Sequence, residues 1–370
     1  MKLIIDFLLI VGILLTVIII FILFKKKERE TAHIILGSIF LFILLLFIAY
    51  YGYLHRITVL FYSTYLFSFS IDMFIGPLFF LYIQTITGNS RPNFKNIAPH
   101  FIIPFLYVLS ISLPVLIANA YDIEFAYLNV LAPFLLYTII FSLAYCIYAL
   151  FKLKQFQKQV KQQFSNLENK NLVWAKRFLI GVITIMLINV SASIYETIVG
   201  EQSLEIDYFS VIPIVFLVGY LGYYGISQSK ILMPEFLSVD SPKSEKNSTS
   251  YVYDSGEMHT LETSLKNLIE NEKPFLDPDL TLTSLAKQLQ VPNKKLSTLL
   301  NQNMNISFYD FINAKRVEEV KLLMSSSEGE KYTILAIAYD CGFKSKSSFN
   351  RVFKKITGES PSEYKNKLIL

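Results

Sequence analysis

The chain has 370 residues, of which 53% are hydrophobic and 15% aromatic, with a formal net charge of +5 and a mean hydropathy of +0.45. This composition excludes an ordinary soluble protein and requires that part of the chain lie in a membrane. Cys146 and Cys341 are the only cysteines, one in an apolar run and one near the C-terminus, which excludes a disulfide framework and points to a reducing compartment for the C-terminal part.

Seven apolar runs come close to the roughly 20 residues a bilayer demands: Leu3 to Phe24, Ala32 to Tyr53, Val59 to Ile86, Ile97 to Ala118, Tyr127 to Phe151, Phe178 to Val199 and Tyr208 to Ile226. The third is long and contains Gly76-Pro77, which predicts a kink. The first is too long for a signal peptide and is followed by Lys25, Lys26, Lys27 and Arg29, which mark a cytoplasmic flank with the N-terminus outside. Later loops alternate as this requires. One set carries Arg91 and Lys95, then Lys152, Lys154, Lys158, Lys161, Lys170, Lys176 and Arg177; the other set offers only Arg56. The expectation is a multi-pass protein of the inner (cytoplasmic) membrane with its C-terminus in the cytoplasm.

Asp122, Glu124, Glu201, Glu205 and Asp207 fall in the outer loops, where depletion of Lys and Arg alone accounts for their acidity. Asp72 and Glu196 lie within runs. Ionisable groups in hydrocarbon need a partner or a water-filled cavity, so these two are candidate sensor residues for an unknown signal ligand or membrane partner.

Phe151 to Leu167 places Phe156, Val160, Phe164 and Leu167 on one helical stripe among lysines and glutamines. A structural extension of the fifth span is expected; docking on headgroups, on a second copy or on the C-terminal domain are alternatives. Residues 1–228 then form the membrane domain. Residues 229–256, rich in Ser, Lys, Asp and Pro, read as a flexible linker with a reach on the order of 30 Å.

Residues 257–370 are polar and helical. A helix is expected from Glu257 to about Glu272, with Leu261, Leu265, Leu268 and Ile269 on one face. Thr281 caps a helix over Leu282 to Leu289, a turn holds Val291 and Pro292, and the next helix turns Leu296, Leu299 and Leu300 inward and Lys294, Lys295, Ser297, Thr298 and Asn301 outward. Ser307 and Asp310 cap a long helix whose Phe311, Ile312, Val320 and Leu323 hold its neighbours in register. Thr333 then caps a helix bearing Ile334, Ile337, Ala338 and Cys341; Gly342 ends it, and Ser345 caps another. That last helix buries Phe349, Val352 and Phe353 and exposes Lys346, Ser347, Asn350, Arg351, Lys354 and Lys355. Gly358 stops it, and Ser360-Pro361-Ser362-Glu363 starts a terminal helix.

A basic, donor-rich helix face suits the major groove, where arginine can bond guanine twice while lysines neutralise phosphates. The bland reading is a solvated amphipathic helix pair. The stretch AIAYDCGFKSKSSFNRVFKKITGESPSEYK resembles the second helix-turn-helix of the AraC/XylS family of transcription regulators, and residues 281–302 resemble the first. Pro292 stands where that family often has a capping Ser, and Thr298 where it often has Arg. The resemblance covers the last hundred or so residues and implies an all-α fold: a seven-helix membrane domain followed by a bipartite, homeodomain-like DNA reader with units at 281–302 and 333–357. It also implies base-facing roles for Lys346, Ser347, Asn350 and Arg351, with Lys294, Ser297 and Thr298 as counterparts, and double-stranded promoter DNA and RNA polymerase as partners. Lys354 and Lys355 suit phosphates.

The reading is a membrane-bound, sequence-specific transcription regulator without a cofactor. A homodimer is compatible with it, although two units in one chain do not require one. The alternative is a transporter or channel with an appended regulatory domain, which would call for paired intramembrane charges or an internal repeat. No HExxH, GxSxG or phosphate-cradling glycine loop occurs, so no enzyme is expected.

Overall fold

The computed structural model describes residues 2–25, 30–88, 94–121, 128–168, 170–199, 211–228, 254–326 and 331–369. The outer-loop acids Asp122, Glu124, Glu201, Glu205 and Asp207 lie outside these residues. The chain divides into two compact units: Met1–Lys154 with Leu172–Leu232, and Gln155–Asn171 with Met233–Leu370.

The first unit begins with α1 (Lys2–Lys25), α2 (Thr31–Leu54) and α3 (Thr58–Thr87), and α2 packs along both of its neighbours. After the short α4 (Phe94–Ile97) come α5 (Pro99–Tyr107), a π turn (Val108–Ser112) and α6 (Leu113–Ala120). Then follow α7 (Leu128–Gln163), α8 (Val173–Val199) and α9 (Val211–Ser227), with α9 packed on α1 and α8. Among the described residues, six helices are long and apolar enough to cross a membrane. The seventh expected span is α9, with 17 residues; residues 200–210 before it lie outside the described residues.

Gly76-Pro77, where a kink is expected, lies inside a continuous helix. α3 is one helix through Pro77, whereas the fourth run is broken by the π turn just before Pro114. Proline lacks an N–H and crowds the carbonyl four residues back, and a widened turn accommodates both defects. Two of the buried hydroxyl sites on these helices show how such groups find partners. Thr16 donates to the Gly12 carbonyl at 2.6 Å, and Ser70 meets Ser112 at 2.8 Å. Leu3, Phe7, Val59 and Phe216 point outward with 64% or more of their surface exposed, as apolar side chains do when lipid is the solvent. α7 has 36 residues, or about 54 Å at 1.5 Å per residue. That exceeds the roughly 30 Å hydrocarbon core, so its lysine-rich end extends beyond the apolar part.

In the second unit, α10 (Ser255–Glu272) starts just before the expected Glu257, and the rest of the expected linker, residues 229–253, lies outside the described residues. α11 (Leu282–Gln288) and α12 (Asn293–Thr298) form the first helix pair. Thr281 and Ser284 cap α11 reciprocally, at 3.1 and 3.0 Å. Pro292 occupies the N-cap of α12 without a side-chain bond, and the helix relaxes into a π turn at Leu299–Asn303. Ser307 caps α13 (Phe308–Met324), which leads to α14 (Ile334–Asp340), α15 (Lys346–Thr357) and α16 (Pro361–Ile369). Thr333 accepts from the Ala336 N–H at 3.1 Å and Ser345 from the Ser348 N–H at 3.4 Å. The Ser360 and Glu363 box closes in both directions.

Both helix pairs turn in the same way. Gln290 (φ 55°) and Gly342 (φ 87°) are left-handed, each N–H returns to the carbonyl three residues back, and the following residue bonds five back. Leu282, Leu285, Leu296, Leu299, Leu300, Phe308 and Ile312 fill the first core; Ile337, Phe349, Val352 and Phe353 fill the second.

A Cβ on Gly342 would lie 2.7 Å from the Phe275 carbonyl oxygen, 2.8 Å from that of Leu276 and 2.9 Å from Arg316 Nε, whereas Gly358 (φ 86°) has nothing within 4 Å. Pulse proteolysis in urea should show Gly358→Ala losing about 1–2 kcal/mol, the left-handed penalty alone. Gly342→Ala should lose about 3 kcal/mol or more, or fail to fold, because a collision with fixed backbone is added.

Candidate nucleic-acid interface

α15 owes its orientation to three aromatic contacts. Phe343 meets Phe349 with ring centroids 5.2 Å apart, Phe349 meets Phe353 at 5.6 Å, and Phe353 meets Tyr364 of α16 at 5.5 Å. With Phe349, Val352 and Phe353 buried, helical periodicity puts Lys346, Ser347, Asn350, Arg351, Lys354 and Lys355 on the opposite side, and all six are exposed. The Cys341 thiol is buried just before this helix, and burial pushes its pKa up to about 12, so it stays protonated and unreactive.

The second reading helix is tied to the first turn of α13 at two points. Arg351 Nη2 donates to the Tyr309 hydroxyl at 3.0 Å, and Lys355 Nζ to Asp310 Oδ1 at 2.8 Å. Burial raises the Asp310 pKa, but the bonds from Lys355 and Ser307 outweigh it and hold the carboxyl below the usual range. A third tie joins Lys344 Nζ to Asp279 Oδ1 at 2.5 Å.

The first helix pair presents less charge. Lys294 is exposed and Ser297 and Thr298 are half-buried. Asn301 Nδ2 donates to the Ser297 carbonyl at 2.9 Å and to its hydroxyl at 3.1 Å, and Lys295 pairs with Glu257 at 2.7 Å. Its polar face is therefore partly committed within the protein.

Sequence reasoning missed Tyr309 and Arg316. Arg316 is 1% exposed, and its Nε donates to the Phe275 carbonyl and its Nη2 to the Asp277 carbonyl, both at 2.7 Å. Burial lowers its pKa to about 10. A signal was present, since Arg316 stands midway between Ile312 and Val320 on the apolar face of α13. Leu323, expected to hold register, is half-buried, and Met324 is buried instead. In the first unit of the chain, Asp72 has an exposed side chain on α3 and its carbonyl accepts from the Ser142 hydroxyl. Glu196 is in α8, with its side chain outside the described residues.

A family model described as a helix-turn-helix domain matches residues 285–367. Over 89 residues the chain is 33% identical to the arabinose operon regulatory protein of Escherichia coli (strain K12), covering 24% of this chain and 30% of that protein. The C-terminal unit carries an AraC-type helix-turn-helix domain. This AraC-type domain is similar, at 33% identity over 89 residues, to the Salmonella typhimurium protein of the same name, of which the match covers 31%. It is also 32% identical over 87 residues to an uncharacterised HTH-type transcriptional regulator of Staphylococcus aureus (strain COL), covering 24% of this chain and 11% of that protein. The chain thus spans about a third or less of the length of these curated relatives. No solved structure matches the chain significantly.

Removing the Tyr309 hydroxyl costs Arg351 one partner within the protein and leaves its side chain available to DNA. Tyr309→Phe should lower stability by about 1 kcal/mol while leaving DNA affinity unchanged or higher in a fluorescence anisotropy titration. A loss of affinity matching that of Arg351→Ala would make the arginine a structural tie.

Proposed function

We propose that the chain is a membrane-anchored, sequence-specific transcription regulator, with its N-terminus outside, its AraC-type domain in the cytoplasm and its apolar helices serving as a sensor. The observation that carries this reading is the exposed basic face of α15 on a chain that begins with six membrane-length helices. The basic loops at Arg91 and Lys95 and from Lys152 to Arg177 favour this orientation. Promoter DNA is the ligand. The names of the relatives, an operon regulatory protein and an HTH-type transcriptional regulator, favour a role in transcription and make RNA polymerase a natural partner.

Within this reading α12 and α15, joined through α13, enter successive major grooves. Lys346, Ser347, Asn350 and Arg351 face bases, Lys354 and Lys355 face phosphates, and Lys294, Ser297 and Thr298 make weaker contacts from the first unit. Asp72 is the candidate sensing group, because a carboxylate in the middle of an apolar helix is retained only where it meets a partner or water.

The test is selection of preferred duplexes by the full-length protein in phospholipid nanodiscs, followed by titrations with variants. Arg351→Ala should cost about 1–3 kcal/mol on the preferred duplex and relax specificity at one base position. Lys354→Ala should weaken all duplexes alike and lower the salt slope by about 1. Equal losses on preferred and random duplexes for Arg351→Ala would contradict its assignment.

A further inference from the structure

The segment joining α7 to α8 belongs with the reader. Residues Gln155–Asn171 cluster with the C-terminal unit, although α7 runs unbroken from the apolar region to Gln163. The centre of the attachment is Ser165, 1% exposed. Its N–H and its hydroxyl both donate to the Leu280 carbonyl, at 3.3 and 2.7 Å. Its own carbonyl accepts from Asn313 Nδ2 at 3.0 Å and Arg316 Nη1 at 3.4 Å, and its hydroxyl oxygen accepts from Arg316 Nη2 at 3.2 Å. Beside it, Phe164 forms an isolated antiparallel bridge with Thr281.

The helical part of the segment reaches the polar face of the first helix-turn-helix, over α11 and α12. Gln163 Nε2 donates to Thr283 Oγ1 at 2.9 Å and Gln162 Nε2 to Asn301 Oδ1 at 3.4 Å. Asn301 is the residue bonded to Ser297 on the reading helix. The charge of Lys161 also bears on Asp310, the partner of Lys355.

The contacts of Ser165 itself are hydrogen bonds that water can replace, whereas Phe156, Val160 and Leu167 of the same segment are also buried, so the signal that drives release must offset their exposure. The segment's position is obstructive. A helix with its side chains is about 10–12 Å across, and the major groove admits one helix. A helix seated against Thr283 and Asn301 takes the space beside α12 that the flanking phosphate backbone would need.

We propose that residues 155–171 are a regulatory arm: docked, they hold the first helix-turn-helix off DNA, and their release, driven through α7, lets both helix pairs bind. The arm rests on the DNA-reading function proposed above. Because arm and duplex compete for one face, the coupling is reciprocal, and DNA must loosen the arm by the factor by which the arm weakens DNA binding.

The test uses the full-length protein in nanodiscs and a random-sequence duplex long enough for two successive major grooves. Ser165→Lys sets an ammonium against Arg316 and expels the arm without altering any residue of the AraC-type domain. Asn166→Cys, at a position 8% exposed, reports docking by its rate of maleimide labelling, since Cys146 and Cys341 are buried. Ser165→Lys should speed that labelling and tighten duplex binding by about tenfold or more. Adding duplex to Asn166→Cys alone should speed labelling too, and this arm of the test does not depend on the folding of the lysine variant. Faster labelling with unchanged affinity in Ser165→Lys would overturn the proposal, as would labelling of Asn166→Cys that DNA leaves unchanged or slows. Absence of duplex binding by both the parent protein and Ser165→Lys would overturn the DNA-reading function itself.

Discussion

A buried guanidinium holds the reader together. Desolvating a charge costs several kcal/mol unless its donors are satisfied, and Arg316 meets that demand with carbonyls from the turn after α10, at Phe275 and Asp277, and with Ser165 from the inter-helix segment. Its pKa falls to about 10 yet stays far above neutrality, so it is charged wherever the protein works. Gly342, the turn of the second helix pair, lies against the same atoms: a Cβ there would meet the Phe275 and Leu276 carbonyls and Arg316 Nε. One side chain therefore fixes the entry to the first pair, the connecting helix and the turn of the second pair at one point.

This explains why two helix pairs with the same turn differ in what they offer. The second is braced by edge-to-face aromatics and by the ties from Arg351 and Lys355 to α13, which leave a basic exposed face. The first lacks a side-chain cap at Pro292, relaxes into a π turn and ties its Asn301 to Ser297 and to Gln162. The larger exposed basic face is accordingly that of α15.

Much of this was legible from residue types alone. Thr281, Ser307, Thr333, Ser345 and Ser360 each begin a helix because a short side-chain oxygen accepts from an N–H that the helix leaves unpaired. Gly342 and Gly358 each end one because only a residue without a Cβ adopts positive φ cheaply. The apolar runs were equally plain, since length and hydropathy decide them. Long-range polar contacts were not legible: nothing local in Phe151 to Leu167 says that Ser165 meets Leu280 or Arg316. The π turn before Pro114 shows the same limit, because both it and an unbroken helix at Pro77 satisfy the local rules for proline in an apolar helix.

Coupling between an apolar sensor and a DNA reader needs a physical connection that has two states. In the proposed arm that connection would be α7, a single helix from Leu128 to Gln163 whose far end leads into the hydrogen bonds around Ser165. The most direct measurement is crosslinking of the full-length protein in cells, isolation of membranes, and sequencing of the DNA that remains attached, with Arg351→Ala in parallel. Discrete sites recovered with membranes and lost in the variant are the predicted result. Recovery of the same DNA with and without Arg351, or of none from membranes while the cytoplasmic fraction holds it, would contradict a membrane-anchored reader.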